Sequence, residues 1–172
     1  MRLQFANNPA YNRYEKGLIL LHQFLMEGKN DTPEIDPIHE DLDDCTPYLD
    51  AAEVQRLGGL SADLYMIQGK EIFEETDLTA EQIKERCAEA SQREDWEAAL
   101  TLLRTGKIVT SPPELAALRA RLYALLGHTE ASLRFQLYAE KYAVQSAIAA
   151  YTSPKTPAKR RKPREVAEAL TV

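Results

Sequence analysis

The sequence predicts an all-α fold, and three observations lead to this prediction. Alanine, leucine and glutamate abound, whereas the 172 residues include only 7 Gly, 4 Phe and 1 Trp. Polar capping residues precede several of the segments in which apolar residues recur at helical spacing. No segment alternates apolar and polar residues between turn dipeptides, so we predict no β-strand.

Capping patterns predict where the helices begin. Asn8 precedes Pro9, which suits the first helical position because proline lacks the N–H that would stay unbonded there. The segments TAEQ at Thr79 and SPPE at Ser111 are capping boxes, and DAAE at Asp50 is a close variant. Together these signals predict helices near 9–28, 34–45, 51–75, 80–93, 95–106, 112–126 and 129–151.

The predicted helix 51–75 contains Gly58 and Gly59, each of which costs about 1 kcal/mol relative to alanine in a helix interior. Apolar residues keep helical spacing from Val54 to Leu64, which favours one helix through both glycines.

In the first helix the same spacing predicts a buried face made of Tyr11, Tyr14, Leu18, Leu21 and Leu25.

Composition indicates one soluble domain over residues 1–152. The net charge of −6 argues against nucleic acid as the partner of the chain as a whole. Cys45 and Cys87 form neither a Cys-x-x-Cys pair nor a disulfide framework, which favours a reducing compartment. The apolar run at 17–26 is shorter than the roughly 20 residues that span a bilayer. We therefore expect a cytoplasmic protein without a membrane partner.

An internal repeat relates two segments of the C-terminal half. The stretches DWEAALTLLR, from Asp95, and GHTEASLRFQLYAEKY, from Gly127, each open with a polar turn followed by small and aliphatic residues in the same order. At an offset of 33 residues, the matched pairs are Glu97 with Glu130, Ala98 with Ala131, Ala99 with Ser132, and Leu100 with Leu133. A period in the thirties is typical of stacked helix-turn-helix units.

Residues 80–112 and 113–145 resemble two tetratricopeptide repeats. The first segment matches the family at Cys87, Ala90, Asp95, Trp96, Ala99 and Leu100, and the second at Ala120, Tyr123, Gly127, Ser132, Leu133 and Ala139. Glu94 replaces the turn glycine of the family, and Gly106 replaces a late alanine. The resemblance implies a short solenoid of antiparallel hairpins, with residues 1–78 as degenerate or capping helices. It also implies that Trp96, Tyr123 and Leu133 fill the spaces between hairpins, with Trp96 largely buried.

The resemblance further implies a groove lined by outward residues of the first helix of each repeat. The partner-binding residues are then Lys84, Ala88, Ser91, Gln92, Ala117, Arg121, Ala124 and Leu125, with Glu81 and Glu114 beside them. Lys84 and Arg121 are the expected partners of a ligand carboxylate; the alternative is that both are ordinary solvated charges. The implied function is a non-enzymatic scaffold or adaptor that binds a peptide or helix of another protein.

Patterns for catalysis, cofactors or metals are weak. His22 lies in an apolar helix and His128 in a turn, and we expect neither to have a serine or cysteine nucleophile beside it. His39 and its acidic neighbours could hold a divalent ion, but they lack calcium-loop spacing, and acidic residues also favour a helix start. We expect Cys87 to be a small packing residue. The sequence thus predicts no enzyme, no cofactor and no metal site.

Residues 153–172 form a basic tail whose six basic and two acidic residues, with three prolines, predict disorder. The tail residues available for contacts are Lys159, Arg160, Arg161, Lys162 and Arg164. As an alternative function, the tail would contact phosphates and make the chain a nucleic-acid-associated accessory protein. Two other interpretations are an inert solubilising end and a tail that pairs with the acidic segment 31–53.

Overall fold

The computed structural model describes residues 7–30, 32–67, 74–108 and 111–152. Its helices are α1 (Pro9–Met26), α2 (Asp36–Cys45), α3 (Ala51–Ile67), α4 (Ala80–Gln92), α5 (Trp96–Arg104), α6 (Pro112–Leu125) and α7 (Thr129–Thr152). A 3₁₀ turn, Thr46–Tyr48, follows α2. The described residues contain no strand, so the all-α prediction is confirmed.

The predicted N-terminal caps are present. The Asn8 side chain accepts a hydrogen bond from the second helical residue at 3.0 Å, and Pro9 opens α1. The capping boxes at Thr79 and Ser111 are both formed. At the start of α3, the Asp50 N–H donates to the Glu53 carboxylate at 2.9 Å, and the Glu53 N–H donates to Asp50 Oδ1 at 2.8 Å.

Helix α3 passes through Gly58 and Gly59 without a break, as predicted. Its predicted end at residue 75 is wrong, because Glu74 and Glu75 lie outside any helix and residues 68–73 lie outside the described part of the chain. The Glu74 N–H donates instead to the carbonyl oxygen of Arg104 at the end of α5, 3.0 Å away. The backbone there is paired with another helix.

The core forms where the N-terminal helices meet the C-terminal hairpins. Helix α1 packs against α2 and α3, α4 against α5, α5 against α6, and α6 against α7, while α7 contacts α1 and α3. Tyr123 of α6 stacks parallel to Phe135 of α7 with 5.4 Å between the ring centroids. Leu18, Leu60 and Leu64 bring α1 and α3 into the same buried cluster.

The turns α4–α5 and α6–α7 have the same backbone geometry at the 33-residue offset. Glu94 and Gly127 both adopt positive φ angles, 56° and 85°. In each turn the next N–H, that of Asp95 or His128, donates to the carbonyl oxygen five residues earlier at 2.8 Å. Glu94 therefore takes the left-handed conformation that glycine takes in the second turn.

The second helices of the two hairpins bury different faces. The buried residues are Ala99, Leu100 and Leu103 in α5, and Ala131, Phe135 and Tyr138 in α7. The first buried residues of the two sets, Ala99 and Ala131, are 32 residues apart, whereas the sequence repeat has an offset of 33. This difference of one residue corresponds to a rotation of about 100° around the helix axis. Leu133 is consequently 51% exposed, so the prediction that it fills the space between hairpins is wrong.

Three other burial predictions also need correction. Trp96 and Cys87 are only half-buried, and Trp96 packs at the edge of the core. Helix α1 buries Tyr11, Glu15, Leu18 and His22, whereas Tyr14, Leu21 and Leu25 are half-buried. The buried stripe of α1 is rotated from the predicted one because Glu15 and His22 have hydrogen-bond partners inside the fold.

The two glycines of α3 provide a matched pair of substitutions. A Cβ atom at Gly59 would lie 2.6–2.8 Å from the Arg104 guanidinium group, whereas nothing lies within 4 Å of one at Gly58. We expect Gly58→Ala to raise the free energy of unfolding by about 0.5–1 kcal/mol, and Gly59→Ala to lower it by about 1–3 kcal/mol. Urea unfolding followed by circular dichroism measures both. Equal effects of the two substitutions would contradict the close approach of Arg104.

Candidate binding surfaces and the buried polar cluster

The residues predicted to line a groove are all exposed. They are Lys84, Ala88, Ser91 and Gln92 on α4, and Ala117, Arg121, Ala124 and Leu125 on α6, with Glu81 and Glu114 on the same two helices. Exposure leaves these side chains accessible to a partner. Their role in binding stays a prediction.

The exposed faces of α4 and α6 differ in chemistry. Leu118 and Leu125 are 40% and 51% exposed, and they flank Arg121 on one face of α6. Among the described residues of α4, no large apolar side chain is exposed. The exposed side of α6 is therefore more apolar than that of α4.

A carboxylate with no exposed surface lies where α3, α5 and α6 meet. Arg104 binds Asp63 through two parallel hydrogen bonds, from Nε to Oδ1 and from Nη2 to Oδ2, each 3.0 Å long. Arg119 Nη2 lies 3.2 Å from Oδ1, and the Tyr123 hydroxyl donates to Oδ2 at 2.6 Å. We call these four residues the Asp63 cluster. Its donors satisfy both oxygens of the buried carboxylate.

The Asp63 carboxylate contributes to a raised pKa of two of its donors, Arg104 and Tyr123. Burial alone would lower the pKa of Arg104, but the neighbouring Asp63 carboxylate more than offsets it and raises that pKa. Burial, followed by the charge of Asp63, raises the pKa of Tyr123, which keeps its hydroxyl protonated as a donor. The cluster thus joins three helices by charge-assisted hydrogen bonds.

A second buried network connects α1 to the α6–α7 turn. His128 Nδ1 lies 3.0 Å from Glu15 Oε2, and its Nε2 lies 3.4 Å from the Tyr11 hydroxyl oxygen. With the Nδ1 proton on the carboxylate side, Nε2 accepts from the tyrosine. A carboxylate, an imidazole and a hydroxyl in this order can relay a proton. All three side chains are buried, however, so the arrangement holds the turn against α1.

The structure places a serine beside His22, contrary to the expectation from sequence. Ser61 Oγ lies 3.2 Å from His22 Nε2, and Ser61 also lines an apolar cavity of about 270 Å³ between α1 and α3. Burial lowers the pKa of His22 to about 4, which makes it a weak base. Ser61 lies within α3, where backbone N–H groups bond within the helix and leave no oxyanion donors.

A smaller cavity of about 140 Å³ lies between α3 and α5. Arg56, Arg104 and Tyr123 are among its lining residues, together with Glu97, whose carboxylate pairs with Arg56. Its volume is close to that of a cavity of about 150 Å³ that holds one benzene molecule. Its lining mixes apolar and charged side chains, and both guanidinium groups already pair with carboxylates, Arg104 with Asp63 and Arg56 with Glu97.

One pattern in the sequence could have predicted the buried charges, namely a charged residue within an apolar helical stripe. Asp63 lies in the same apolar stripe as Leu57, Leu60 and Leu64, and Glu15 lies between Tyr11 and Leu18 at helical spacing. A charged residue at a core-facing position requires a buried partner. This signal could have predicted that Asp63 and Glu15 are paired, but it could not have identified their partners.

The acidic helix α2 faces solvent along much of its length. Asp41 pairs with Arg13 of α1, and His39 is exposed.

Within residues 7–152 as described, no group of three His, Cys, Asp or Glu side chains could hold a metal ion. Nor does any described helix have the length and apolar character to cross a membrane. The tail residues Lys159 to Arg164 lie outside the described residues.

Comparison of the chain with protein-family models, curated proteins and solved structures finds no significant match. The resemblance of residues 80–145 to tetratricopeptide repeats therefore stays a prediction.

Removal of the buried carboxylate should be strongly destabilising. Asp63→Ala leaves Arg104 and Arg119 without their shared carboxylate, and we expect a loss of about 3–5 kcal/mol in the free energy of unfolding. Tyr123→Phe removes one hydrogen bond to the charge and should cost about 1.5–3 kcal/mol. Asp43→Ala, at an exposed acid of α2, should stay within about 0.5 kcal/mol. An Asp63→Ala value as small as that control would refute the role of the cluster.

Burial of neutral His22 should make stability depend on pH. The pKa of His22 is about 4 in the folded protein, below the value of about 6.5 expected when unfolded, so the unfolded state binds the proton more readily. Stability is therefore present above pH 6.5 and is lost as pH falls towards 4, by about 3 kcal/mol. His22→Gln should flatten this part of the stability curve, whereas His39→Gln should not. A curve left unchanged by His22→Gln would contradict the assignment.

Proposed function

We propose that the chain is a non-enzymatic, all-α interaction module that binds a helix or an extended peptide of a partner protein on the exposed face of α6. The observation that carries this proposal is that α6 is apolar on two sides. It buries Leu115 and Tyr123 in the core and exposes Leu118 and Leu125. A surface helix of a globular protein usually has one apolar stripe, which faces the core, so a second one on the opposite side favours a partner there.

The arrangement we propose for this module is a short tetratricopeptide-like solenoid. The hairpins α4–α5 and α6–α7 repeat one turn geometry at a 33-residue offset, and α5 packs against α6. Helices α1 to α3 would then cap the stack in place of further repeats. In such a stack the outward residues of α4 and α6 line the binding surface, with the apolar part on α6.

The chemistry of the α6 face favours a particular kind of ligand. Leu118, Arg121 and Leu125 follow one another at spacings of three and four residues, over a length of about 10 Å. A partner segment with a carboxylate between two apolar side chains would match this pattern. Apolar contact would supply affinity, and the guanidinium group would select the acid. Lys84 on α4 would receive a second carboxylate.

Free cysteines are compatible with a role in the cytoplasm. Cys45 is buried and Cys87 is half-buried, and neither forms a disulfide among the described residues. Burial raises the pKa of both thiols, which makes them less reactive. We infer an adaptor that works in a reducing compartment.

Selection of displayed random peptides tests the proposed surface. We expect peptides enriched on the wild-type protein to contain Asp or Glu flanked by Leu, Ile or Phe. Lys84→Glu combined with Arg121→Glu should weaken their binding by about 10-fold or more, with an unchanged circular dichroism spectrum. Arg86→Glu reverses a single charge at an exposed site of α4, on the other side of the helix from Lys84, and should have little effect.

The apolar part of the surface needs its own variant. Leu125→Ala should also weaken these peptides, whereas Val54→Ala, at a comparably exposed residue of α3, should not. Peptides that bind the charge-reversed protein and the Leu125→Ala protein as tightly as wild type would refute the α6 site.

A further inference from the structure

Helix α7 has a second apolar stripe on the side opposite its core face. The stripe consists of Leu133, Leu137, Val144 and Ile148, which are 49–59% exposed. At 3.6 residues per turn, these four positions fall within an arc of about 60°. The buried residues Ala131, Phe135 and Tyr138 lie on the other side of the helix. We call this exposed set the α7 stripe.

The spacing of the α7 stripe is symmetric about the bond between Glu140 and Lys141. Leu133 and Ile148 lie equally far from this point along the helix, and so do Leu137 and Val144. If two α7 helices pack antiparallel around a twofold axis at this point, Leu137 of each copy meets Val144 of the other. Glu140 of each copy then meets Lys141 of the other, because a twofold interface pairs each residue reciprocally.

We propose that the α7 stripe is a twofold interface between two copies of this chain. The apolar spacing and the central charges are both self-complementary, which a contact with an unrelated partner would not require. The site is also accessible, since all residues from Ala143 to Ala149 are exposed. Helix α7 has 24 residues and α6 has 14, so the end of α7 extends past its hairpin partner. This interface shares no residue with the peptide surface proposed on α6.

The interface is small, so the dimer is weak. The stripe covers about 22 Å of helix and contributes four large apolar side chains from each copy. Stable complexes bury about 1,200–2,000 Å² in total, and smaller contacts are transient. The dimer should therefore form in the micromolar range and dissociate on dilution.

Charge reversal tests the interface by a pattern that a different contact would not reproduce. Glu140→Lys places lysine opposite lysine at both central pairs, and Lys141→Glu places glutamate opposite glutamate. Each single variant should weaken self-association of the full chain by about 10-fold, measured by sedimentation from about 5 to 500 μM. An equimolar mixture of the two should associate, because all of its central pairs are then opposite in charge. The double variant should recover the association of the wild type.

Apolar variants separate this interface from the α6 surface. Leu137→Asp should abolish dimerisation and leave peptide binding to α6 intact, whereas Leu125→Asp should do the reverse. Circular dichroism of each variant checks that the helices are retained. A wild-type protein that stays monomeric throughout the concentration range would overturn the proposal. So would a dimer that is lost with Leu125→Asp but kept with Leu137→Asp, or a mixture of single charge variants that does not associate.

Discussion

The carboxylate of Asp63 organises the contacts between the N-terminal helices and the C-terminal hairpins. It receives Arg104 from α5, together with Arg119 and Tyr123 from α6. A charge with no exposed surface is tolerated only when its hydrogen bonds are complete, so the three helices are held in one relative position. Gly59 belongs to the same constraint, since a side chain at that position would meet the Arg104 guanidinium group.

This constraint decides which sides of α6 and α7 face solvent. Because Arg119 and Tyr123 point to Asp63, Leu118 and Leu125 lie on the other side of α6. Because α7 packs Phe135 against Tyr123, its second apolar stripe also faces outwards. Both helices of the hairpin thus have one apolar face in the core and one at the surface. The α6 face has a cation between leucines, which favours an acidic ligand, whereas the α7 stripe has a self-complementary centre.

The two hairpins are alike in their turns and different in their packing. Glu94 adopts the left-handed conformation of Gly127, and the hydrogen bonds around both turns are equivalent. Helix α7, however, is rotated by about one residue relative to α5, so Leu133 is exposed where Leu100 is buried. The buried bond between His128 and Glu15 of α1 is one contact that α5 does not share, and it holds the start of α7 against the N-terminal helices.

The sequence alone determined the fold class and the helix starts, because caps such as Asn8, Thr79 and Ser111 act on N–H groups within a few residues of themselves. It also indicated that α3 continues through its two glycines. The Asp63 cluster needed the tertiary structure, since Arg104 is 41 residues and Tyr123 is 60 residues from the carboxylate they bind. The exposure of Leu133 likewise depended on the packing of α7, because its offset match to Leu100 is a local pattern, whereas burial is decided by neighbouring helices.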